Sequence, residues 1–135
     1  MEDVTDDLLT IGEMCAEFAV TPRTLRFYEA KELLAPIREG QKRLYTRRCR
    51  ARLKLILQGK RFGFSLEDIR QILNLYDIGD HQVTQIARIY DLGMDRLQAM
   101  EAQQTELGEA IADLREQVKR AGEYLARRGL SRAAE

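Results

Sequence analysis

From Val83 onward, positions 83, 86, 90, 93, 97, 100, 104, 107, 111, 114, 118, 121 and 125 advance by alternating steps of three and four. They hold Val, Ile, Tyr, Gly, Leu, Met, Gln, Leu, Ile, Leu, Val, Ala and Leu, so only Gly93 and Gln104 depart from apolar. An apolar repeat every ~3.5 residues is the signature of a coiled coil. A helix of about 40 residues runs ~60 Å, too long to bury its stripe on a globule built from the preceding chain. The simplest partner is a second copy, with Val83, Ile86, Tyr90, Leu97, Met100, Leu107, Ile111, Leu114 and Val118 as dimerisation contacts. Folding back within the chain is disfavoured, since no loop signal interrupts residues 94–121 and Gly108 alone only weakens a helix. The repeat itself leaves helix direction open.

Net charge is zero, and that average hides a partition. Residues 1–20 carry six acids and no Lys or Arg. Residues 21–61 carry thirteen Lys or Arg against three acids, and residues 62–135 carry nine against thirteen. A net +10 within residues 21–61 is a footprint for nucleic acid or another polyanion. Hydrophobic content of 44% supports a core, and two prolines with no Ser- or Gly-rich run argue against long disordered linkers. No apolar run approaches the span of a bilayer, and the start Met1-Glu2-Asp3 is unlike a signal peptide. The expectation is a cytoplasmic protein with no membrane partner. Cys15 and Cys49 are far apart, and His81 is the single histidine. A zinc site needs about four close N or S ligands, so free structural thiols are expected, with no metal and no cofactor. A sensor thiol is conceivable at Cys49, near a helix start among arginines. No Ser/His/Asp set or Gly-rich phosphate loop is present, which argues against an enzyme.

The basic segment opens on Val20-Thr21-Pro22-Arg23-Thr24-Leu25-Arg26-Phe27-Tyr28-Glu29. Thr21 suits a helix cap and Pro22 the first helical position, where its missing N–H is no loss. Leu25 and Tyr28, three apart, turn one edge toward a core. Arg23, Arg26 and Phe27 are left for the other side. Arg forks onto phosphate or guanine, so this face suits duplex DNA; the bland alternative is a solvated basic helix. Just upstream, Leu8 and Leu9 suggest a brief strand or staple. Thr10 and Glu13 form a capping box, and Ile11, Met14, Cys15 and Phe18 follow an amphipathic stripe. Two short helices joined by Ala19-Val20 make a helix-turn-helix candidate whose second helix reads.

Beyond Pro36, Ile37-Arg38 and Arg43-Leu44-Tyr45 flank Glu39-Gly40-Gln41-Lys42, a small β-hairpin or wing. Arg43 and Tyr45 are expected to face outward to a phosphate backbone. A plain connector is the other reading, and the basic content favours contact. Thr46 caps a third helix expected to run through Gln58, with Arg47, Arg48, Arg50, Arg52 and Lys54 crowding its exposed side. Gly59 to Phe64 is read as a second loop or wing. Ser65 caps a fourth helix striped by Leu66, Ile69, Ile72 and Leu73. Asp77-Ile78-Gly79-Asp80 marks the boundary before the seam.

These residues resemble the MerR family of bacterial transcription regulators. The likeness is carried by Leu9 to Glu13, Val20 to Glu29, Leu33-Leu34-Ala35-Pro36, Arg43-Leu44-Tyr45 and Leu55 to Leu73 with Gly63-Phe64-Ser65-Leu66, in register over about residues 8–76. It implies a mainly α protein, a winged helix-turn-helix DNA-binding domain followed by a long coiled-coil dimerisation helix. The implied division is an acidic disordered lead at 1–7, the DNA-binding domain at 8–78, the dimerisation helix at 79–127 and a flexible tail at 128–135. It also implies an antiparallel homodimer on a pseudo-palindromic promoter, distortion of the DNA, and action on bacterial RNA polymerase at the nucleoid. The candidate DNA contacts are Thr21, Arg23, Thr24, Arg26, Phe27 and Tyr28 in the reading helix, Arg38, Lys42, Arg43 and Tyr45 in the first wing, and Lys60 and Arg61 in the second.

Two departures stand out. Phe27 replaces the family's usual Tyr, and Gly40-Gln41-Lys42-Arg43 replaces the usual Asn-Gly-Tyr-Arg turn. The latter, with Gly59-Lys60-Arg61 and Leu75-Tyr76-Asp77, resembles a subgroup controlling branched-chain amino acid (leucine, isovalerate) and acyl-CoA catabolism. Metal and redox sensors of the family carry cysteines after the long helix, and here none follows Cys49; multidrug sensors append a ligand-binding domain, and here the chain ends soon after the seam. The expectation is either an effector pocket built from the coiled coil and the DNA-binding domain or no inducer control, with the small-molecule effector unknown. The competing functions are a non-specific architectural DNA-binding protein and a coiled-coil adaptor whose basic segment binds an acidic protein.

Overall fold

The structure is a computed structural model that describes residues 7–78 and 83–130. The expected acidic lead over 1–6, the segment 79–82 with His81, and the end of the expected tail over 131–135 lie outside the described residues. Two compact units divide between Leu92 and Gly93 rather than near residue 79.

The first unit begins with β1 (Leu9–Thr10), which runs directly into α1 (Ile11–Phe18). The Thr10 hydroxyl accepts the Glu13 N–H at 3.2 Å and Glu13 accepts the Thr10 N–H at 2.9 Å, so the capping box is closed in both directions. Ala19 ends α1 in the left-handed region (φ 55), which reverses the chain toward α2 (Pro22–Ala30). There follow β2 (Ile37–Glu39), β3 (Lys42–Tyr45), α3 (Arg47–Phe62) and α4 (Leu66–Ile78).

The strands form one antiparallel sheet in the order β1-β3-β2, with Leu9 opposite Tyr45 and Arg38 opposite Arg43. Gly40 takes φ 64 in the two-residue turn Gly40-Gln41, a conformation that costs glycine nothing and matches the twist of a tight hairpin. Met14, Leu25, Tyr28, Leu33, Leu34, Tyr45, Cys49, Leu53, Ile56, Ile69 and Leu73 make the core. Every element from α1 to α4 except β2 contributes to it.

The third helix runs four residues past its expected end, because Gly59 is not a breaker here. It is a buried helical position facing Ile69 of α4, where a Cβ would come within 2.8 Å of Ile69 Cγ1. The helix ends instead at Gly63. The expected second wing over Gly59–Phe64 is therefore the last turn of α3, its cap and Phe64. Ser65 does cap the next helix, accepting the Asp68 N–H at 3.1 Å.

The fifth helix is α5 (Val83–Arg127). Within the first unit, among the described residues of this helix, Leu92 is buried and lies off the apolar seam, and Arg88 donates to Gln71 of α4 at 2.9 Å. Those contacts are why the unit extends beyond residue 78. Within the second unit the seam residues Leu97, Met100, Leu107, Ile111, Leu114 and Val118 are all exposed. No helix among the described residues is long and apolar enough to cross a membrane.

Candidate nucleic-acid interface

The second helix of the helix-turn-helix is α2, and its face is set by its start. Thr21 Oγ1 accepts the Thr24 N–H at 3.1 Å and Pro22 fills the first turn. From that start Leu25 and Tyr28 are buried, and Arg23, Arg26 and Phe27 point away from the core, Phe27 45% exposed. Neither Arg23 nor Arg26 has an ion-pair partner among the described residues. Lys31 Nζ lies 5.7 Å from the centre of the Phe27 ring, which adds a third cation to this side of the helix. Thr21 and Thr24 also bond to each other through their hydroxyls at 3.0 Å, so both serve the cap.

Two expected contacts are corrected by burial. Tyr45 does not face outward: it is 0% exposed and belongs to the core with Met14, Tyr28 and Cys49. The helices explain why, since Met14 of α1, Tyr28 of α2 and Cys49 of α3 form with it the core on that face of the sheet. Burial raises the Tyr45 hydroxyl's pKa above its ordinary 10.0. Tyr28, 1% exposed, is likewise a packing residue, and neither hydroxyl has a hydrogen-bond partner among the described residues.

Arg43 shares the Tyr45 face of β3 by the two-residue period and is drawn in with it. Its Nε donates to Glu29 Oε1 at 2.6 Å, while Arg38 Nη1 donates to Glu29 Oε2 at 3.0 Å. The wing is thus fastened to the end of α2. Lys42 is exposed beside the turn, opposite Glu39. Glu29 was absent from the candidate residues, although an acid in a segment of thirteen bases was a signal that could have flagged it.

Other basic residues divide in the same way. Lys60 and Arg61 are exposed on the last turn of α3. Arg47 donates to Asp7 at 2.6 Å, which holds that carboxyl below its ordinary pKa. Arg50 and Arg52, expected on the open side of α3, are half-buried; Arg52 Nε donates to the Leu33 carbonyl at 2.9 Å. Together with Arg70, which donates to the Lys31 carbonyl at 2.6 Å, Arg52 pins the chain leaving α2.

Cys49 is buried, its Sγ 3.6 Å from the Ala35 carbonyl, beside a cleft of about 380 Å³ also lined by Leu33, Arg52 and Asn74. Among the described residues no three His, Cys, Asp or Glu side chains gather as a metal site would require.

Comparison with known proteins agrees with this geometry. The family profile described as MerR HTH family regulatory protein matches residues 9–75, and that described as MerR, DNA binding matches residues 50–117. The HTH-type transcriptional regulator ZntR of Escherichia coli K12 is 38% identical over 99 residues, 72% of this chain and 69% of that regulator. A MerR-family transcriptional regulator from Bacillus cereus superposes with a TM-score of 0.67 at 27% identity, over 84% of this chain and 81% of that one. The transcription regulator PbrR691 from Ralstonia metallidurans CH34, solved in complex with lead(II), superposes with a TM-score of 0.60 at 30% identity, over 80% and 86%. With matches running from residue 9 to residue 117, the chain belongs to the MerR family of helix-turn-helix transcriptional regulators, DNA-binding proteins rather than enzymes.

Proposed function

We propose that the protein is a homodimer that binds one pseudo-palindromic promoter site and distorts the DNA there, changing the access of RNA polymerase. The observation that carries this reading is the outer face of α2. Arg23, Arg26 and Phe27 are all exposed there, and the two arginines stand free of ion pairs among the described residues, on a helix seated by Leu25 and Tyr28. Such a face offers forked donors to base edges and phosphates together with an apolar surface for a thymine methyl. Lys42 of the wing, and Lys60 and Arg61 on the last turn of α3, supply phosphate contacts that fix the register without reading sequence. Thr21 and Thr24 lie at the helix N-terminus, where phosphate is favoured by the helix dipole.

The exposed seam of α5 supports the dimer, since Leu107 alone is 62% exposed on a single chain. An antiparallel pairing of two seams would relate two α2 helices by a two-fold axis, and a palindromic site mirrors that symmetry. The finer assignment is control of branched-chain amino acid or acyl-CoA catabolism, supported by the sequence resemblance at Gly40-Gln41 and Gly59-Lys60-Arg61.

The test is to sequence genomic fragments retained by the purified protein and footprint the enriched operator. A single dyad-symmetric protection is expected, and Arg26→Ala is expected to cost ~1–3 kcal/mol of operator binding. Uniform coverage of all fragments, or unchanged operator affinity in Arg26→Ala, would overturn the reading. Transcript changes outside branched-chain and acyl-CoA catabolism on deleting the gene would overturn the pathway assignment alone.

A further inference from the structure

One carboxylate holds both arginines of the wing. Glu29 is the penultimate residue of α2, and each of its oxygens takes one guanidinium, Arg38 at 3.0 Å and Arg43 at 2.6 Å. Arg38 and Arg43 are direct partners across the β2–β3 ladder. Like charges placed opposite each other on a hairpin repel. An acid in the last turn of a helix faces the negative end of the dipole. Each placement is unfavourable alone, and the two become favourable together. The Arg43 side chain is only 22% exposed, against 47% for Arg38, so Arg43 is the more withdrawn of the pair.

We propose that Glu29 is a specificity-determining positioning residue, which fixes the wing against the reading helix and keeps the charge of Arg43 off the DNA. The inference rests on the proposed function, in that it takes the α2 and wing face as the DNA interface. Affinity for arbitrary duplex follows the number of cations offered to phosphates, whereas preference for one site needs α2 seated correctly in its groove. A carboxylate shared by two wing arginines lowers the first without touching base contacts. By tying the wing to α2, it also supports the second. Glu29 therefore acts on the ratio of specific to non-specific binding.

The experiment titrates the full chain, Glu29→Gln and Arg43→Gln against the footprinted operator duplex and a scrambled duplex of equal length, over a range of salt. Glu29→Gln is expected to bind the scrambled duplex more tightly, with a log–log salt slope steeper by about 1, one further phosphate. Its operator-to-scrambled ratio is expected to fall about tenfold, the scale of one lost base contact. Arg43→Gln removes the strut from the other side, so its ratio also falls while its slope on scrambled DNA stays that of the parent. Melting curves of both variants report whether each is folded, and the Arg43→Gln slope gives a second, independent reading. A parental ratio and slope in Glu29→Gln would overturn the proposal. So would uniform weakening on both duplexes, the mark of a merely structural role, or a slope in Arg43→Gln shallower by about 1, which would make Arg43 a phosphate contact. If the parent protein itself does not prefer the operator, the regulatory reading fails, and the role of Glu29 falls with it.

Discussion

Gly59→Ala sets two opposing effects against each other, and the structure says which wins. In a helix interior, alanine is favoured over glycine by about 0.8–1.0 kcal/mol, because it restricts the unfolded chain and covers the backbone. At residue 59, however, the new methyl would meet Ile69 Cγ1 at 2.8 Å and Cδ1 at 3.2 Å. Carbon atoms prefer about 3.5–4.0 Å. The isoleucine cannot simply swing aside, because its branched Cβ stiffens the first side-chain torsion and the residue is 2% exposed. Overpacking of this kind costs ~1–3 kcal/mol, so the net effect is destabilisation of up to ~2 kcal/mol. A melting point lowered by ~4–8 °C per kcal/mol is expected for a domain of this size.

The assay is urea unfolding followed by circular dichroism, at fixed protein concentration so that the contribution of the proposed subunit association is the same throughout. Ile69→Ala supplies the control. Alone it costs ~2–5 kcal/mol as a cavity. It leaves only Cβ near the new methyl, at 3.9 Å, an ordinary contact. In that background Gly59→Ala is expected to become stabilising by about 1 kcal/mol. A coupling of ~1–3 kcal/mol between the two sites follows. A Gly59→Ala variant more stable than the parent would refute the close crossing of α3 and α4. It would also reopen the helical placement of Lys60 and Arg61.

Two further substitutions address the seam and the core. Leu107→Asp places a carboxylate on the apolar seam and is expected to yield a monomer by analytical ultracentrifugation, with a dimeric mass refuting the heptad register. Tyr45→Phe deletes a buried hydroxyl that has no partner among the described residues, so stability is expected to hold or to rise by up to ~1–3 kcal/mol, with operator affinity unchanged; a loss of operator affinity in a folded variant would restore Tyr45 as a DNA contact.

What was legible in the sequence shares one property: its determinants lie close together along the chain. The capping box of Thr10 and Glu13, the Thr21-Pro22 start and the Thr46 and Ser65 caps join residues three apart. What was misread depends on residues far apart. Gly59 ends a helix or lets one helix approach another, and the choice is made by Ile69, ten positions later. Tyr45 faces in because Met14 and Tyr28, 31 and 17 positions earlier, join it in the core on that side of the sheet. Glu29 finds its arginines nine and fourteen residues on. The same long-range contacts change the meaning of the charge pattern. Of the cations that give residues 21–61 their net +10, Arg38, Arg43 and Arg47 are in ion pairs and Arg52 holds a backbone carbonyl. A basic segment therefore overstates the charge it can present to DNA, because some of its arginines are needed to build the surface on which the others stand. The salt dependence of binding should follow those others, Arg23 and Arg26 first among them, and not the net charge of the segment.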